Sequence, residues 1–108
     1  MTVLELSKLE HFEPVNISEG DREIRGVYCG DLLSWVMGKA KSDDAWITIM
    51  SNINILAVAT LCDVSCIVLS EAVTADDDVI EVAKQKGINI IKTSLTTFET
   101  AVFLNKSL

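Results

Sequence analysis

Between positions 45 and 70 the chain reads AWITIMSNINILAVATLCDVSCIVLS, an apolar stretch with only brief polar breaks. Trp46, Ile47, Thr48, Ile49 and Met50 form a β-branched and aromatic run, the pattern of a buried strand. Ser51, Asn52 and Asn54 follow as N-cap side chains, and the Ala-rich run 55–62 continues as a helix. Asp63 and Val64 turn the chain, and Cys66, Ile67, Val68 and Leu69 make a second strand. Two strands apolar throughout, joined by a helix, predict a βαβ unit in a parallel sheet covered on both faces.

The flanks extend the same alternation. Residues 2–9 predict a short helix, with Thr2 and Glu5 at capping-box spacing. Residues 11–15 predict a short strand, and Pro14 suits it to a sheet edge. A polar, Gly-containing connection leads to a strand over 24–29 and a helix that starts at Gly30-Asp31, with Asp31 as N-cap. In that helix Leu32, Leu33, Val36, Met37 and Ala40 fall on one apolar stripe. Asp76, Asp77 and Asp78 suit the start of a further helix through the macrodipole. Val79, Ile80, Val82 and Ala83 supply its buried face, and Gly87 its C-cap. A strand over 88–91 follows, and Thr96 with Glu99 makes a second capping box for a helix reaching Leu104. The expected architecture is a single α/β domain over residues 1–108, a three-layer, mostly parallel sheet with helices on both faces.

Composition narrows the function classes. Nine Lys and Arg against sixteen Asp and Glu give a net charge of −7, a field that repels phosphate backbones and anionic membranes. No nucleic-acid or membrane partner is therefore expected, and no window is apolar and long enough for a transmembrane helix. The N-terminus lacks a signal-peptide core, so the expected location is the cytoplasm. Cys29, Cys62 and Cys66, three in number, read as reduced thiols, and Cys62 and Cys66 fit structural thiols in a packed core.

Candidate chemistry follows from where ligands sit in open parallel sheets, at strand carboxyl ends beside helix N-termini. That rule selects Asp31, then Ser51, Asn52 and Asn54, then Ser70 and Glu71, then Thr93, Ser94, Thr96 and Thr97. All are small polar or acidic groups that can hydrogen-bond a ligand. The plainer account is that helix caps need the same residue types. His11 is the one histidine and has no evident partner, Cys62 and Cys66 lack further zinc ligands, and neither GxGxxG nor a Walker A sequence occurs. No catalytic residue, metal site or cofactor is expected, and the chain does not read as an enzyme. The helices over 55–61 and 98–104 are apolar on nearly every side, more than a domain this size covers by itself, which predicts a homodimer.

Three segments carry a family resemblance: GVYCGDLLSWVM, WITIMSNINILAVATL and CIVLSEAVTADDDVIEVAKQKGINIIKTSLTTFETAVFL. Over residues 26–104 they resemble the DRTGG domain family, itself similar to the N-terminal domain of HPr kinase/phosphorylase. The chain also resembles a stand-alone subgroup in which DLLS and N-x-x-AVA recur, here Asp31-Leu32-Leu33-Ser34 and Asn54-Ile55-Leu56-Ala57-Val58-Ala59, which adds Ser34 to the candidate ligand set. Where the family motif has Gly-Asp-Arg, this chain has Met50-Ser51-Asn52; where it has Thr-Gly-Gly, the chain has Ser70-Glu71-Ala72. The resemblance implies a regulatory or scaffold domain acting on a cytosolic partner protein. The alternative is a sensor for a small molecule, a nucleotide or metabolite, held at the strand carboxyl ends. With the family Arg absent and Asp31 and Glu71 in place, a polyphosphate is not the expected ligand.

Overall fold

Helices and strands alternate along the computed structural model, which describes residues 1–108. In order they are α1 (Val3–Ser7), β1 (Phe12–Asn16), β2 (Gly26–Cys29), α2 (Leu33–Lys39), β3 (Asp44–Thr48), α3 (Asn54–Cys62), β4 (Cys66–Leu69), α4 (Asp77–Lys86), β5 (Ile90–Thr93) and α5 (Thr97–Ser107). The strands form one sheet in the order β1-β5-β4-β3-β2. Strands β2, β3, β4 and β5 run parallel, and β1 adds antiparallel to β5. The three-layer, mostly parallel α/β architecture read from the sequence is the one observed.

Period-two alternation divides the core between the two faces. Trp46, Ile67, Leu69 and Ile90 point to the side covered by α2, α3 and α4, where they meet Val36, Ile55, Leu56, Val79 and Ala83. Ala45, Ile47, Cys66, Val68 and Ile91 point the other way and pack with Val3 and Leu6 of α1 and Leu104 of α5. Every residue of β3 and β4 is buried, as strands sandwiched between helix layers require. Gly87 takes φ 71° at the end of α4, the left-handed cap that glycine adopts without strain. Gly26 permits a close approach: a Cβ there would lie 2.5 Å from Asp44 Oδ1.

Both capping boxes form as read, Thr2 with Glu5 and Thr96 with Glu99. Several local expectations are corrected. Asp31 does not cap α2; the N-cap is Leu32, because the Asp31 carboxylate is drawn to β3 instead. The α2 stripe buries only Val36 fully, while Leu32, Trp35 and Met37 are exposed, since the helix covers the last strand and has no neighbour beyond it. Strand β3 spans 44–48 rather than 46–50, leaving Ile49 exposed past the sheet's end. Helix α3 has Ile53 at its N-cap with no side-chain cap; it buries Ile55, Leu56, Val58 and Ala59 and exposes Leu61. Strand β5 covers 90–93 rather than 88–91 and α5 continues to Ser107. Of the cysteines only Cys66 is buried, whereas Cys29 is exposed on the edge strand.

Interactions remote in sequence fix the opposite end of the sheet. The Asn89 side chain is buried and uses its full hydrogen-bonding capacity. Its Oδ1 accepts from the Ser18 and Glu19 N–H groups, and its Nδ2 donates to the Glu19 and Ser65 carbonyls. Arg22 donates through Nε and Nη2 to Asp43 Oδ1 and through Nη2 to the Asp63 carbonyl. It also lies 3.0 Å from Asp63 Oδ1. Asp43 and Asp63 both hold left-handed backbone conformations, with φ 70° and 58°. Partial burial works against charge on Arg22, yet its bonds to Asp43 and Asp63 raise the guanidinium pKa above its ordinary value.

Candidate functional site

Strands β4 and β5 are neighbours, but α4 leaves β4 on one face and α5 leaves β5 on the other. Their carboxyl ends therefore form the sheet's switch point, where α/β proteins open a crevice. Here the protein's own groups fill it. Glu71 N–H donates to the Leu95 carbonyl at 2.8 Å and Ala72 N–H to that of Thr93 at 3.0 Å. The Ser70 and Thr97 hydroxyls lie 2.7 Å apart. The Glu71 carboxylate accepts the Thr97 N–H at 2.7 Å, in the position an anion takes at a helix N-terminus. Glu71 and Ala72 both adopt positive φ, 59° and 61°, at the two positions where the motif of the resembled family has glycines.

A second group lies at the ends of β2 and β3. Asp31 Oδ1 accepts from Thr48 Oγ1 at 2.8 Å and from the Ile49 N–H at 2.9 Å, tying the loop after β2 to the end of β3. Trp46 Nε1 donates to the Gly30 carbonyl at 2.9 Å and fixes the same loop from below. Asn52 Oδ1 accepts the Asn54 N–H and shapes the turn into α3. Ser51 is half-buried beside it, and Ser34 is exposed on the first turn of α2. Partial burial, and then the Asp31 charge, push the Cys29 thiol above its ordinary pKa, which argues against a thiolate nucleophile.

Ser70, Glu71 and Thr97 are thus brought together, with Thr93 adjoining through Ala72. Asp31 stands apart near β3, and Ser34, Ser51, Asn52 and Asn54 belong to the helix starts. A cleft of about 410 Å³ opens beside the switch point, between β5 and the start of β1. His11, Glu13, Thr74, Lys92, Thr93 and Ser94 are among the residues that line it, and of the ligand-binding set only Thr93 and Ser94 reach it. Thr93 Oγ1 donates to the His11 carbonyl at 2.6 Å, holding the cleft's rim to β5. Lys92 Nζ is 3.6 Å from Glu13 and His11 Nε2 is 3.8 Å from Glu10, so a carboxylate stands beside each of these nitrogens at the opening.

Sequence alone does not place His11 beside Lys92, because β1 reaches β5 from the far end of the chain. The one local hint is residue type: His11 has φ 75°, and His is enriched among non-Gly residues in that region. No group of three or more His, Cys, Asp or Glu converges in a way that would hold a metal ion. No helix is long and apolar enough to cross a membrane.

Comparison with known proteins gives two findings. The family profile described as the DRTGG domain matches residues 15–107. The fold is similar to a crystal structure of the CBS and DRTGG domains of the regulatory region of Clostridium perfringens pyrophosphatase, complexed with its activator diadenosine tetraphosphate. That similarity has a TM-score of 0.70 and 22% identity, and covers 90% of this chain but 43% of the other. The chain therefore spans less than half the length of that regulatory region. No curated protein sequence matches.

Proposed function

The chain belongs to the DRTGG domain family, and on that premise we propose that it is a non-catalytic regulatory domain, homodimeric, acting on a cytosolic partner protein. The observation that carries this reading is the apolar surface left at one end of the sheet. Leu32 and Trp35 on α2 are each 60% exposed, and Phe98 on α5 is 76% exposed. Large apolar side chains left exposed on both helices that flank one sheet edge fit an interaction surface. Supporting the non-catalytic part, the hydroxyls and carboxylates at the strand ends are engaged in caps and loop ties.

Sedimentation equilibrium at tens of micromolar tests the dimer, that range being above ordinary dimer affinities of about 1 μM. A dimer is expected; a monomer throughout would overturn the reading.

A second reading, a small-ligand sensor, draws on the cleft between β1 and β5. The activator of the Clostridium perfringens region is a nucleotide, and that region is more than twice the matched length. Around the present cleft the Lys92 ammonium is opposed by Glu10 and Glu13, with Glu71 close behind Ala72. This charge balance favours a compact neutral or zwitterionic molecule over a polyphosphate. Titrating ATP and diadenosine tetraphosphate calorimetrically, with and without magnesium, separates the cases. Micromolar binding in the absence of metal would overturn the charge argument.

A further inference from the structure

The two edges of the sheet are built differently. Strand β1 carries Pro14, the exposed Glu13 and a register shift between Pro14 and Asn16. These are the devices that stop an edge from pairing with another strand. Strand β2, Gly-Val-Tyr-Cys, has no charge, no proline and no bulge. Its faces are partly covered by α2 and α5, but its outer edge is unpaired and bordered by a cleft on each side. On the α5 side a groove of about 380 Å³ runs along it, lined by Val27, Cys29, Phe98, Ala101 and Val102 among others. On the α2 side a second cleft reaches Gly26, Val27 and Tyr28.

We propose that β2 pairs antiparallel with β2 of a second copy, joining two five-stranded sheets into one across a two-fold axis. The proposal rests on the homodimer reading and specifies its geometry. Charge argues for a second copy rather than an unrelated strand. Arg25, its side chain 71% exposed and its Nε 3.6 Å from Asp43 Oδ2, lies just before β2, and the exposed Asp31 lies just after it. An antiparallel two-fold places each Arg25 opposite the other copy's Asp31, forming two ion pairs from one sequence, as an isologous interface requires. Asp31 binds Thr48 and Ile49 through Oδ1, leaving Oδ2 free for such a pair. The same axis sets α2 of one copy antiparallel beside α2 of the other on one face of the joined sheet, and α5 beside α5 on the other face. The partner's helices then cover the apolar ends that α2 and α5 leave open.

With Arg25 opposite Asp31, Tyr28 falls on the axis and Cys29 stands opposite Val27. Strand rise and spacing then put the two Cys29 Cα atoms about 8 Å apart, too far for a disulfide and within reach of an ethylene-linked bismaleimide. The test treats the full chain, as a Cys62→Ser variant, with that reagent alongside sedimentation equilibrium. A dimer whose cross-link maps to Cys29–Cys29 is the expected result. A dimer that gives no Cys29 cross-link overturns this geometry and leaves the homodimer reading standing; a monomer overturns both. Arg25→Asp provides an independent arm: it should weaken dimerisation about tenfold or more through loss of both ion pairs, and an unchanged dissociation constant in a folded variant would count against the arrangement.

Discussion

The Thr97 backbone N–H donates to the Glu71 carboxylate at 2.7 Å, which ties the first turn of α5 to the loop leaving β4. This contact joins the two loops that leave neighbouring strands for opposite faces. It is also held in a conformation that disfavours the residue making it, since Glu71 and Ala72 are consecutive left-handed residues. A non-Gly residue in that region costs about 1–2 kcal/mol.

Substitutions in this loop separate strain from the carboxylate contact. Ala72→Gly should stabilise the protein by about 0.5–1 kcal/mol, because strain is relieved and part of the gain is returned as unfolded-state entropy. Glu71→Ala keeps the strain, loses the helix N-terminal charge and should destabilise by about 1 kcal/mol. Glu71→Gly should lie between the two. Urea unfolding midpoints give the ranking, and an Ala72→Gly variant less stable than wild type would contradict the strain argument.

Asn89 is the polar residue whose loss should cost most. Removing its amide by Asn89→Ala leaves the Ser18 and Glu19 N–H groups and the Ser65 carbonyl without their partner, while the Glu19 carbonyl keeps the Arg22 N–H. A loss of about 3 kcal/mol is expected, the scale of uncovering more than one buried polar group. Asn89→Asp should also destabilise, because a carboxylate cannot donate to the two carbonyls. Thermal or urea unfolding of both variants checks this.

Acid should weaken the helix ends before the core. Glu5 and Glu99 are held below the ordinary carboxylate pKa by backbone N–H groups, from Thr2 and Thr96 respectively. Asp63 is lowered first by the Ser42 hydroxyl and then by Arg22. A carboxylate with a depressed folded pKa contributes stability above its unfolded pKa, near 4, and that contribution is lost as pH falls through the depressed value. Stability should hold from neutrality to about pH 5 and decline below about pH 4. Glu99→Gln should flatten part of that decline, as followed by circular dichroism.

The three thiols should differ in reactivity in a fixed order. Cys66 is fully buried and its pKa is pushed up to about 12, so it should react with a disulfide reagent only on unfolding. Cys62 is half-buried with its pKa raised by desolvation and then by Asp44. Cys29 is exposed and should react first, though more slowly than a free thiol because burial and Asp31 raise its pKa. Reagent titration at pH 8 with peptide mapping gives the order, and labelling of Cys66 in the folded protein would refute it.

Features carried by residues three or four apart were legible without the fold. Thr2 with Glu5, Thr96 with Glu99 and the left-handed Gly87 form their contacts within one helical turn, so residue type and spacing are enough. The buried strands around Trp46 and Val68 were legible for a related reason. A sheet covered on both faces admits apolar side chains on every position, and a continuous apolar run records that directly. The fold class rested on these signals.

Tertiary structure alone decided what the remaining polar groups do. Asp31 is a reasonable N-cap by sequence, but parallel pairing of β2 with β3 brings Thr48 and the Ile49 N–H within its reach, and a folded carboxylate goes to the stronger set of donors. Glu71 meets α5 only because α4 and α5 leave adjacent strands on opposite faces. His11 meets Lys92 and Thr93 only because β1 turns antiparallel onto β5, across about eighty residues of chain. Which edge stays unprotected, β2 rather than β1, is fixed by strand order, and strand order is a choice among long-range pairings that no local pattern encodes.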